Sequence, residues 1–164
     1  MPLPLSQRLG VDSIASFSRA AVQRWKDAEA LRRAGRKLAA IYLMGYSTEM
    51  LLKAAYFRLL GFAVDRAISP SDREQARGEY GKLGLVQKPG QHDFTGWAQL
   101  LVAKRYDLRT PHAPGVDRQI VNQAQTIYDH WLETMRYHST RVYRQEFESV
   151  RDAVFWFHKN ERIL

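Results

Sequence analysis

The chain of 164 residues contains no cysteine. That excludes a disulfide framework and thiolate chemistry and fits a reducing compartment, so a cytoplasmic location is expected. No stretch sustains the apolar–polar alternation of a half-buried strand. A P-loop, a strand–glycine–helix dinucleotide fingerprint and a serine-hydrolase elbow are all missing, which leaves side chains on helices to do any binding. The five histidines, His92, His112, His130, His138 and His158, include no pair at the spacing by which one helix face holds a metal, so neither a metal nor a cofactor is expected. Met1 to Gly10 is Pro-rich and polar, without the apolar run of a secretory leader. Acidic residues are the scarcer charge: 17 Asp and Glu stand against 25 Lys and Arg, for a net charge of +8 and a pI near 9.9. Such a surplus favours phosphates or anionic surfaces without fixing a fold or a site.

Hydrophobic residues make up 45% of the chain and charged residues 26%, the balance of an ordered domain, and the length predicts one domain over 1–164 with a real core. Its centre is Leu38 to Phe62, LAAIYLMGYSTEMLLKAAYFRLLGF. Both stripes of a helix drawn through this segment are mostly apolar, so it reads as a helix of roughly 37 Å buried on most of its surface. Glu49, Lys53 and Arg58 would each cost about 2.5–3.5 kcal/mol near the middle of a bilayer. A buried helix, not a membrane span, is the expectation.

Residues 1–11 read as a loose arm, since Pro2 and Pro4 block helix. Asp12 or Ser13 can cap a first amphipathic helix that buries Ile14, Phe17, Ala21, Trp25, Ala28 and Leu31 and ends near Gly35, where the chain turns back as a hairpin. Residues 65–91 form a basic insertion. Ser69-Pro70-Ser71-Asp72 starts a short helix to about Tyr80, followed by a mobile loop. Arg73, Arg77, Lys82 and Lys88 form either a phosphate-facing edge or a solvated loop. A third core helix is predicted from Asp93 to Arg105, a fourth from Val116 through Ile120, Ala124, Ile127 and Trp131 to Met135, and a last one over Val142 to Phe157. The architecture predicted is an all-α, antiparallel up-and-down bundle of four to five principal helices.

Polar groups embedded among aromatic ones are the candidates for function. Glu49 precedes Lys53 by four residues, the favourable orientation for a helical ion pair. The pair is either structural or a fixed carboxylate that orients an arginine. Arg136, Tyr137 and His138 group at the expected end of the fourth helix. Arg136 offers a planar fork for a carboxylate or phosphate, and a bond to Glu49 would satisfy both. Tyr137 can stack, His138 can titrate near neutrality, and His92 stands just before the Asp93 cap.

Taken in order, the run Tyr42-Leu43-Met44-Gly45-Tyr46-Ser47-Thr48-Glu49-Met50-Leu51-Leu52-Lys53-Ala54, the helix start His92-Asp93-Phe94, and Trp131 ahead of Arg136-Tyr137 resemble the HEPN superfamily of nucleotide-binding helical domains. The resemblance covers roughly Ser13 to Phe157. It implies a helical bundle, commonly a homodimer, that binds a nucleotide or RNA phosphate, often in bacterial toxin–antitoxin or defence systems beside a nucleotidyltransferase or antitoxin partner. The ligand site expected from it comprises Glu49, Lys53, His92, Arg136, Tyr137 and His138. Many members of that family are metal-independent endoribonucleases that use an arginine followed after four to six residues by a histidine. Two pairs here have that spacing, Arg105 with His112 and Arg151 with His158. The alternatives to a binding domain are thus a ribonuclease toxin using one of these pairs, or a dimerisation module without a ligand.

Overall fold

A computed structural model describes Pro4 and residues 10–164; the expected arm lies almost wholly outside the described residues. The architecture is all-α, with six helices and no strand among those residues. Helix α1 spans Ile14–Arg33, α2 Lys37–Leu59, α3 Pro70–Gly78, α4 Phe94–Asp107, α5 Val116–Tyr128 and α6 Arg144–Lys159. Short 3₁₀ turns occupy Glu79–Gly81, Glu133–Tyr137 and Glu161–Ile163.

Local chemistry sets the helix starts. Ser13, not Asp12, caps α1: its Oγ accepts from Ser16 N at 3.1 Å while Ser16 Oγ accepts from Ser13 N at 2.6 Å. Asp12 is thereby free to pair with Arg73 on α3. The expected box on α3 forms, Asp72 N donating to Ser69 Oγ at 3.1 Å and Ser69 N to Asp72 Oδ2 at 2.7 Å. Asp93 caps α4 by accepting from Gly96 N at 2.8 Å. Gly35 turns the α1–α2 hairpin with φ of +75°, a left-handed backbone that glycine adopts without penalty.

Helix α2 is the centre of the molecule. Every residue from Leu51 to Phe57 is buried, and α2 packs against α1, α4 and α6, while α5 closes the other side against α4 and α6. Its small residues let α1 come close: Ser47 Oγ reaches across to donate to Ala21 O at 2.8 Å. The buried apolar side chains form one cluster, including Met44, Leu52, Trp97, Ile120, Val154 and Phe157.

One expectation is corrected. The fourth helix stops at Tyr128, so Trp131 lies in a connection and Arg136 and Tyr137 sit on a 3₁₀ turn, not at a helix end. The cause is Trp131 itself, whose indole drops onto α2 beside Gly45 and donates Nε1–H to Tyr42 O at 3.0 Å. The loop after α3 makes contacts of its own: Arg77 Nη1 donates to Pro89 O at 3.1 Å, Lys88 pairs with Glu74, and Leu83 and Leu85 pack on the core.

Candidate functional site

Helix α2 carries a charged pair into the apolar interior. Glu49 and Lys53 are one turn apart, with side chains 6% and 10% exposed, and Glu49 Oε1 accepts from Lys53 Nζ. The second carboxylate oxygen accepts from His92 Nδ1 at 3.0 Å. The Lys53 ammonium also lies 5.3 Å from the centroid of Trp97, a cation–π contact that strengthens out of water. Such a buried pair is held only because every charge in it has a partner.

His92 hangs from the residue before the α4 cap. Its ring meets Tyr46 edge-on at 5.7 Å, and Nε2 stands 3.9 Å from Glu133 Oε1. The hydrogen bond to Glu49 is the chief cause that holds its pKa above the ordinary 6.5; partial burial and Lys53 oppose this, and the Glu49 and Glu133 charges add to it.

This network opens into a cavity of about 280 Å³ lined by Glu49, Lys53, His92, Trp97, Arg73 and Arg77, with Asp12 at its edge. Arg73 and Arg77 are one turn apart on α3, which turns both to the same side. Arg73 pairs with Asp12, and Arg77 pairs with Glu74 while its Nε is buried without a partner among the described residues. Sequence reasoning noted these arginines as an edge but did not join them to Glu49. Their four-residue spacing behind the Ser69 cap was the available signal.

The expected bond from Glu49 to Arg136 is not made. Both Glu49 oxygens are taken by Lys53 and His92, and the early end of α5 leaves the segment after Trp131 on the outside of the bundle. Arg136 instead lies 3.5 Å from Glu133 and 4.8 Å from the Tyr137 ring. Tyr137 is 73% exposed. His138 lines a different cavity, between α2 and the 129–146 segment. The six residues expected to share a pocket therefore divide, and only Glu49, Lys53 and His92 stay together.

Each member of the two arginine–histidine pairs has its own structural partner. Arg105 donates to Thr110 O at 3.2 Å and Leu164 O at 2.8 Å, and His112 is bonded to Asp117. Arg151 Nε donates to Glu29 at 2.8 Å. His158 Nε2–H donates to Ser47 Oγ at 2.7 Å, and its ring lies 5.4 Å from that of Trp25. Burial lowers the His158 pKa below 6.5.

The two histidines thus shift in opposite directions, and a proton NMR titration should show His92 titrating above 6.5 and His158 below it. The stability each contributes has the opposite sign. The His92 contribution is complete below 6.5 and lost as pH rises through its raised folded value. That of His158 is complete above 6.5 and lost as pH falls through its lowered value. His92→Gln should therefore lower stability on the acid side only, and equal loss at high pH would contradict the assignment.

Among the described residues, no helix is long and apolar enough to cross a membrane, and no three acidic or histidine side chains gather as a metal-holding group. Fold and site together define an all-α bundle with an ion-paired cleft at the middle of its central helix. The chain matches no family model, no curated protein and no solved structure.

Proposed function

We propose that this cleft binds the phosphate of a nucleotide or of RNA, within a HEPN-like helical domain. One observation carries the reading: cationic side chains from three separate segments, Lys53, the Arg73–Arg77 turn and His92, line one cavity beside Trp97. Glu49, Asp12 and Glu74 offset the charges of Lys53, Arg73 and Arg77, so an entering anion finds a surplus of one once His92 is protonated. Arg77 already donates to Pro89 O and pairs with Glu74, so an entering anion competes with these partners for its guanidinium. In this reading Glu49 orients His92 and Lys53, not Arg136. The resemblance extends the proposal to a homodimer in a toxin–antitoxin or defence system, beside a nucleotidyltransferase or antitoxin partner.

The test is binding of labelled mononucleotides at about 50 and 200 mM salt, since phosphate-driven binding weakens steeply with salt. Arg73→Ala with Arg77→Ala should cost at least about tenfold in affinity at the lower salt, the loss of two charge-assisted bonds. No binding by the unaltered protein at low salt would sink the proposal.

A second reading, a metal-independent ribonuclease, is favoured by the 3.0 Å bond from His92 Nδ1 to Glu49, the arrangement by which a carboxylate orients a histidine that moves protons. Cleavage that survives chelator and is abolished by His92→Ala supports it. RNA left intact by the unaltered protein removes it.

A further inference from the structure

A second basic surface lies at the N-terminal end of α2. The hairpin turn reads Arg32-Arg33-Ala34-Gly35-Arg36-Lys37, and the connection ahead of α6 passes beside it. Together they enclose a groove of about 450 Å³ lined by Arg36, Lys37 and Arg141, with no acidic residue in its walls. None of these three cations has an ion-pair partner among the described residues, whereas Arg32, Arg136 and Arg144 are each paired with a glutamate. Positive charge is therefore concentrated where nothing within the described fold neutralises it.

The groove adjoins a cavity of about 390 Å³, sharing Leu38, Thr140, Arg141 and Val142 with it. That cavity has an apolar floor of Leu38, Ile41 and Met135 and a rim bearing His130 and His138. Two carboxylates also line it, Asp129 accepting from Gln125 Nε2 at 2.6 Å and Glu146 from Tyr143 N at 2.7 Å; both donors are neutral, so the cavity keeps negative charge and suits an uncharged base, not a phosphate. Beside the groove, Tyr143 is 63% exposed with the Arg141 guanidinium 5.8 Å from its ring centroid. A charged track, a flat exposed aromatic and an adjoining apolar cavity of base-admitting size are the three elements by which proteins hold unpaired strands.

We infer that this surface is a binding track for single-stranded nucleic acid, independent of the central cleft. Backbone phosphates lie along Arg36, Lys37 and Arg141, one base stacks on Tyr143 and a neighbouring base enters the apolar cavity. Leu38 and Met50, which line the track and the cleft respectively, are twelve residues apart on α2, about 18 Å along its axis. The two sites are therefore separable by mutation.

The experiment measures binding of labelled single strands of about ten nucleotides, RNA and DNA, to the full chain, with polyglutamate as the competing polyanion. The unaltered protein should bind both strands, and polyglutamate should compete weakly because it has no bases to stack. Arg36→Ala, Lys37→Ala and Arg141→Ala combined should remove about three phosphate contacts, reducing the salt slope by about 2. Between about 50 and 200 mM salt the advantage of the unaltered protein over this variant should then shrink about eighteenfold. Tyr143→Ala should weaken strand binding about tenfold without changing the salt slope, as loss of stacking does. The triple variant should keep its mononucleotide affinity, and Arg73→Ala with Arg77→Ala should keep its strand affinity. Strand binding that survives the triple variant, or polyglutamate that competes as well as RNA, overturns the track. An unaltered protein that binds strands but no mononucleotide overturns the cleft and leaves the track standing.

Discussion

Glu49→Ala is expected to destabilise the fold by about 3–5 kcal/mol, the cost of leaving a buried charge without its partner. The Lys53 side chain, only 10% exposed beside Glu49, would be left with Trp97 as its remaining contact, and His92 would lose the bond that holds its ring. Denaturant unfolding with one fitted slope measures the loss. The informative companion is Glu49→Leu with Lys53→Met. Replacing both members by apolar groups of similar volume removes the desolvation cost along with the attraction, and such swaps are neutral or stabilising by about 1–4 kcal/mol. Recovery of stability in the double variant, with loss of mononucleotide binding, shows a pair kept for the ligand. A double variant as unstable as Glu49→Ala would show that the pair serves the fold itself.

The parts of this arrangement that sequence reveals are those decided within one or two helical turns. Helix α2 is legible because nearly all its residues are apolar, so no choice of face matters. The Glu49–Lys53 pair follows from a spacing of four, and the Ser69–Asp72 box from capping chemistry. What sequence does not carry is the direction in which a segment leaves its helix. Ile120, Ala124, Ile127 and Trp131 continue one helical period without a break, yet α5 ends at Tyr128 because Gly45 opens a slot on another helix. That single departure moves Arg136 away from Glu49 and sends the 129–146 connection to the hairpin turn. The convergence of Arg73 and Arg77 on the cleft is of the same kind. It depends on the Asp12–Arg73 pair and on Pro89 seating over Gly96, where an added Cβ would come within 2.5 Å of the proline. Both are contacts between segments distant in sequence. Composition signalled a basic protein, but only the fold separates arginines that are neutralised from those that are not.

Gly45→Ala is expected to destabilise although helix propensity argues the reverse. In the middle of an exposed helix, glycine to alanine gains about 1 kcal/mol. At Gly45 the new Cβ would fall within the Trp131 indole, and the ring is fixed from every other side. Its Nε1–H is bonded to Tyr42 O at 3.0 Å, and it meets Phe94 at 5.2 Å and Tyr46 at 5.5 Å between ring centroids. Overpacking of this kind costs about 1–3 kcal/mol, and expulsion of the indole adds the loss of its burial, so the variant approaches the cost of Trp131→Ala, about 3–5 kcal/mol. The two residues act through one contact, so the double variant should be no less stable than Trp131→Ala alone, with a coupling of at least about 1 kcal/mol between the sites. Urea unfolding of the four proteins gives the cycle. A Gly45→Ala protein more stable than the parent would mean that the indole does not occupy this slot, and the break after Tyr128 would then need another cause.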